Sequence, residues 1–246
     1  MEVLTRANQP EAPARARTRV IGIHSSDMSS AAVQLISIAD IADALEAGLK
    51  SLCAQLDAEQ AVYGLDSLDE LALHPFMAQS LKDAGLGVHR EQRYPCDRHK
   101  RRLGEGERCD FVLTPGNRAL MQEESRGTLF DSPDAMPLDE AFWLEVKVVS
   151  QFTPEGPNAN YSSQLLSTVR QDVTKLSKDN GILRAGLLIV LFVRDQVVAD
   201  HDLGIWQDKC LTRGLPIGAP ARRSFAITDR HGNTLCAVAV YPVMHN

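Results

Sequence analysis

Two runs, Arg108-Cys109-Asp110-Phe111-Val112-Leu113 and Phe142-Trp143-Leu144-Glu145-Val146-Lys147-Val148-Val149, decide how this chain is read. In the second, Phe142, Leu144, Val146 and Val148 occupy alternate positions, so a pleated strand gathers them on one face and leaves Glu145 and Lys147 together on the other. The first run is a shorter strand with Asp110 near its start. Set side by side, the two strands bring the carboxylates of Asp110 and Glu145 together, with the ammonium of Lys147 two residues further along the same face.

Outward from these strands, Val33, Leu35, Ile36, Ile38, Ile41, Leu45, Leu49 and Leu52 are spaced mostly three or four apart and predict an amphipathic helix over 31–56. A second helix is expected over 67–84, ending at Gly85-Leu86-Gly87, with His74-Pro75 kinking it or marking its start. A strand over 88–94 then pairs with 108–113 through a polar tip at 95–107, and 116–140 is an inserted loop. After the strand at 142–149, Leu165, Val169, Val173 and Leu176 predict a helix over 161–178. The apolar run 185–193 reads as a central strand covered on both faces. A helix at 202–213 and a hairpin over 224–243 complete an α/β domain with a mixed sheet, spanning 31–246 behind a disordered tail at 1–30.

The 246 residues are 44% apolar and 24% charged, a composition that excludes disordered, collagen-like and disulfide-stapled classes. Five cysteines without a C-x-x-C pair fit reduced structural thiols and a cytoplasmic setting, and no apolar run is long enough for a bilayer. The formal charge of −6 argues against bulk coating of nucleic acid. It is localised, however: 121–145 holds seven acids against Arg126 alone, a net of −6, so the remainder sums to zero. Between His89 and Arg108 there are three more cations than acids, and Arg98, Lys100, Arg101 and Arg102 form a compact basic run suited to phosphate contact. The plainer alternative for that run is a solvated loop.

Paired carboxylates with a lysine are suited to holding Mg²⁺ or Mn²⁺ and to phosphodiester hydrolysis, the lysine offsetting charge that develops on the phosphoryl oxygens. In these residues, and in element order over roughly 70–193, the chain resembles the PD-(D/E)xK nuclease superfamily, the restriction-endonuclease-like fold. The resemblance implies a core order αβββαβ, here followed by a C-terminal helix and β-hairpin and preceded by an N-terminal helical extension. It implies catalytic roles for Asp110, Glu145 and Lys147, an additional acid at Glu70 and a polar active-site residue at Gln164. Asp110 and Glu145 would be the metal ligands, with the Val146 carbonyl joining them. Two departures are Cys109 in place of the proline and the long insertion between the acid and Glu-x-Lys.

The expected activity is metal-dependent nuclease chemistry, on DNA first, in restriction, defence or repair, with a homodimer or a protein partner left open. The alternative is a catalytically inactive module of the same fold that binds nucleic acid or a protein. Plainer readings stand beside several residues: Glu-x-Lys on a solvated sheet face, Glu70 as a solvated helix acid, Gln164 as polar surface, and Asp172 and Lys175 on a solvent-facing helix edge. The seven histidines are dispersed without ligand spacing, and Trp143 and Tyr161 are read as packing residues, with base stacking the alternative should they border the cleft. No G-x-S-x-G, P-loop, H-E-x-x-H or dinucleotide fingerprint is present.

Overall fold

The computed structural model describes residues 35–97, 107–121 and 134–244. Helix α1 (Ile38–Ala58) starts where the Ser37 side chain accepts the N–H of Ala39. It buries Ile41, Leu45, Leu49 and Leu52, the three- and four-residue spacing that draws one helix face onto a sheet. Helix α2 (Glu70–Asp83) is capped by Asp69, whose carboxylate accepts the N–H of Ala72 at 2.8 Å. That cap sets the start, so Pro75 lies inside α2 and not at its beginning. Gly85, at φ +85°, turns the chain out of the helix in a conformation that favours glycine.

The strands are β1 (Leu86–Arg93), β2 (Arg108–Pro115), β3 (Phe142–Ser150), the short pair β4 (Phe152–Thr153) and β5 (Gly156–Pro157), β6 (Arg184–Val193), β7 (Ala221–Ala226) and β8 (Leu235–Val243). Six of them form one mixed sheet in the order β1-β2-β3-β6-β8-β7. Only β3 and β6 run parallel, in register Glu145↔Leu187 and Lys147↔Ile189, and all other neighbours are antiparallel. The crossover from β3 to β6 carries α3 (Tyr161–Ser163), a π-helical turn over Gln164–Thr168 and α4 (Val169–Lys178). Helix α5 (Gln196–Thr212), capped by Asp195, starts earlier than the expected 202 because the Asp195 carboxylate accepts the N–H of Val198 at 2.9 Å.

The sheet is covered on both faces. Phe111, Leu144, Val146, Leu188 and Val190 pack with α1 and α2. Trp143, Val149, Leu187 and Ile189 pack with Val169, Val173 and Leu176 of α4 and with Leu203 and Trp206 of α5. Strand β6 is buried from Ala185 to Val193, as its unbroken apolar sequence requires of a central strand. Each fully buried aliphatic side chain contributes about 1.5–3 kcal/mol relative to exposure, which is what holds the helices on the sheet. Trp143 is wholly buried with its indole N–H on the Leu138 carbonyl, and Tyr161 donates to Asp202; both serve packing. No helix among the described residues is long and apolar enough to cross a membrane.

Candidate metal centre

The β2–β3 ladder ends at Phe111↔Leu144, immediately before Asp110 and Glu145. Past that point the backbone donors of β3 turn to acidic side chains. The N–H of Val146 is taken by Asp110 Oδ2 at 2.8 Å, and the N–H of Val148 by Glu70 Oε2 at 3.1 Å. Two acids from different elements are thus placed by consecutive outward-facing amides of one strand. A carboxylate that accepts a backbone N–H is held in one orientation, which is how a preformed ligand set is built.

The third member is His74, one helical turn after Glu70. Its ring is completely buried, lies 5.1 Å from the Phe111 ring, and places Nε2 4.0 Å from Asp110 Oδ1. Neither ring nitrogen has a hydrogen-bond partner among the described residues. An unpartnered buried polar group costs about 1–3 kcal/mol, so an imidazole left in this state beside two carboxylates asks for a ligand. Donor atoms of Glu70, His74 and Asp110 all lie within 4.8 Å of one another. Two hard oxygens and one imidazole nitrogen suit a divalent cation such as Mn²⁺ or Mg²⁺, with Mn²⁺ better served by the nitrogen.

Lys147 stands at the edge of this group, Nζ 3.3 Å from Glu70 Oε2 and 3.7 Å from Asp172 Oδ2. Burial pulls its pKa down, but the charges of Glu70 and Asp172 outweigh this and hold the ammonium above the ordinary lysine value. Asp172 is buried against the sheet by α4, and burial raises its pKa against the opposing pull of Lys147 and Lys175. Lys175 closes the chain of charges with Nζ 3.2 Å from Asp172 Oδ1. Asp172 therefore faces the site and not solvent, Lys175 reaches it from a half-buried position on the helix edge, and Glu70 is tied to β3 rather than solvated. In each case the reason is helix register, set by Asp69 for α2 and by the π-helical turn for α4.

Glu145 has a different environment from the one its strand position suggests. It shares the alternate face with Lys147, but that face is roofed by α4 and the residue is 5% exposed. The hydroxyl of buried Tyr94 donates to Glu145 Oε1. Burial, reinforced by the charge of Asp110, pushes the Glu145 pKa up to about 9, with Tyr94 pulling the other way. Tyr94 stacks on Trp143 at 5.7 Å, and Cys109 lies fully buried nearby, its thiol raised by the same desolvation. The structure thus brings Asp110 beside Glu145 and gathers Glu70, His74 and Asp110 into a group that could hold a metal ion. Val146 enters through its N–H.

Gln164 opens the π-helical turn, where its Oε1 accepts from Asn158 Nδ2 at 3.0 Å. It lines a cleft of about 630 Å³ together with Glu70 and Lys147. The basic run Arg98, Lys100, Arg101 and Arg102 lies outside the described residues. His74 is the residue that reading the sequence missed. The spacing Glu70-x-x-x-His74 was its signal, since residues four apart share a helix face. Searches against protein-family models, curated proteins and solved structures find no match to this chain.

Proposed function

We propose that the chain is a metal-dependent nuclease of restriction-endonuclease-like architecture that hydrolyses phosphodiester bonds, DNA first among its substrates. The observation that carries this reading is the convergence of Glu70, His74 and Asp110 within 4.8 Å, with the Lys147 ammonium 3.3 Å from Glu70. The order of elements, helix, three-stranded meander, helix and parallel strand, supports the same reading.

Glu70, His74 and Asp110 would hold the cation, and Glu145, next to Asp110, would join them on losing its proton. The cation, when bound, supplies Lewis acidity toward the phosphodiester. The chain's own residues do the rest. Val146 and Val148 fix the two acids through backbone amides. Lys147, kept charged by Glu70 and Asp172, faces the reacting phosphate and stabilises the negative charge that grows on its oxygens. Gln164, on the wall of the adjoining cleft, supplies a neutral donor and acceptor for orienting substrate or water.

A second reading also has an observation behind it: Glu145 is buried and occupied by the Tyr94 hydroxyl, and burial beside Asp110 raises its pKa and so favours the uncharged form. On that reading the chain binds metal and nucleic acid, or a protein partner, without cleavage. Incubation of purified protein with duplex and single-stranded DNA and with RNA, in Mg²⁺ and in Mn²⁺, separates the two. Cleavage by the wild type that is lost in Asp110→Asn supports the nuclease. Metal binding without cleavage of any substrate supports the inactive module.

A further inference from the structure

The Lys147–Asp172–Lys175 chain of charges leads from the candidate metal group to a second groove, of which Lys175 is itself a lining residue. This groove, of about 600 Å³, is lined by Ser167, Arg170, Gln171, Lys175 and Arg213, with Glu107 at one edge. Ser167 of the π-helical turn and Arg170, Gln171 and Thr174 of α4 recur three and four apart, so they form one polar stripe opposite Val169, Val173 and Leu176. Arg213 reaches the groove from just beyond α5.

The two clefts flanking the centre differ in charge. The cleft beside Glu70 is lined by Asp66, Asp69, Glu70 and Glu155 against Lys147 alone. The groove on α4 has Arg170, Lys175 and Arg213 against Glu107, and because Lys175 is paired with Asp172 and Glu107, Arg170 and Arg213 carry its positive charge. A polyanion leaving the centre is repelled along the first and attracted along the second. Arg170 adds an observation of its own. Its Nε and Nη1 are enclosed and have no hydrogen-bond partner among the described residues, so no acid there neutralises the charge that this guanidinium brings to the groove wall. Guanidinium groups flanked by hydroxyl and amide side chains are what phosphate oxygens bind, with no demand on base sequence.

We infer that this groove seats the phosphodiester backbone of a nucleic-acid strand on one side of the reacting phosphate. The inference rests on the nuclease reading for the identity of the polyanion. It makes the substrate approach asymmetric: the strand runs over α4 toward Arg213, and the acidic cleft beside Glu70 takes none of its flanking phosphates.

The test is fluorescence polarisation with labelled duplex and single-stranded oligonucleotides over a salt series, in EDTA and in Mn²⁺, with cleavage and calorimetric Mn²⁺ binding measured in parallel. Arg170→Gln/Arg213→Gln should lower oligonucleotide affinity by about 10- to 100-fold at low salt and reduce the slope of log K against log salt by about 2. Mn²⁺ binding should be unchanged. Arg213→Gln alone, at an exposed position that cannot compromise folding, should reduce the slope by about 1. Wild-type affinity and slope in both variants overturn the groove, as does a wild-type chain that binds no oligonucleotide, or one from which polyglutamate displaces the oligonucleotide at equal charge. The nuclease reading fails separately, by absence of metal binding and of cleavage in the wild type.

Discussion

Asp110 is bonded through its side chain to the backbone of Val146, Oδ2 accepting the amide hydrogen at 2.8 Å. The bond replaces the next rung of the β2–β3 ladder, which stops at Phe111↔Leu144. Glu70 does the same to Val148 at 3.1 Å. Strand β3 thus spaces two acids that reach it from β2 and from α2, and His74 Nε2 lies 4.0 Å from Asp110 Oδ1. Buried backbone amides must be paired, so the opening of the ladder and the position of the acids are one event.

Removal of either side-chain ligand should be visible in metal binding before any activity is measured. His74→Leu and Asp110→Asn are each expected to weaken Mn²⁺ by more than the roughly 10- to 100-fold that follows loss of a supporting group. Wild type should bind Mn²⁺ more tightly than Mg²⁺, and His74→Leu should narrow that difference because it removes the nitrogen donor. Calorimetric titration of folded variants checks this; an unchanged Mn²⁺ isotherm in His74→Leu excludes the imidazole from the site.

Lys147→Met should leave Mn²⁺ affinity within about tenfold of wild type while lowering the rate of phosphodiester cleavage by about 10²–10³, the scale of losing one donor to a developing oxyanion. Single-turnover rates at saturating metal make the comparison. A variant that cleaves at the wild-type rate removes Lys147 from the chemistry and leaves it a structural partner of Glu70 and Asp172.

Stability in EDTA should fall as pH rises, and Glu145 is the cause. Its pKa is raised to about 9 from an ordinary value of 4.5, so between those pH values the unfolded chain releases a proton that the folded chain keeps. The folded state binds more protons throughout that window, and unfolding becomes easier as pH rises through it. Glu145→Gln keeps the acceptor for Tyr94 and abolishes the titration. It should be more stable than wild type at pH 8, by a margin that shrinks toward pH 4.5. Urea denaturation at three or four pH values measures it, and parallel profiles for the two proteins would remove Glu145 as the source.

Tyr94→Phe deletes the hydroxyl that donates to Glu145 and leaves a buried carboxyl oxygen without that partner. About 1–3 kcal/mol of stability should be lost, although the ring and its stacking on Trp143 are retained. Since the Tyr94 hydrogen bond lowers the Glu145 pKa, its loss should extend the pH window of falling stability upward. Chemical denaturation at pH 6 and pH 9 tests both parts, and a neutral substitution at both would mean that Glu145 finds another partner.

The strands and their faces were legible in the sequence because they depend on local alternation. Phe142, Leu144 and Val146 lie on one face of β3 and Glu145 and Lys147 on the other, and the apolar run 185–193 is a central strand, all as two-residue periodicity requires. The pairing of Asp110 beside Glu145 followed from strand order. What periodicity does not carry is rotation about a helix axis, which a one-residue change of start alters by 100°. The Asp69 cap turns Glu70 and His74 inward, and the π-helical turn at Gln164 sets the face that α4 lays on the sheet, so that Asp172 is buried beside Lys147.

Local chemistry therefore determined that this chain has a mixed α/β sheet with an acid and a Glu-x-Lys on neighbouring strands. Tertiary structure alone decided that His74 gathers with Glu70 and Asp110 into a group able to hold a cation, and that Glu145 is buried under α4, where desolvation raises its pKa and Tyr94 donates to it. The physical reason is that a residue's type is local, whereas its burial, its partners and its charge state belong to segments that only folding brings together.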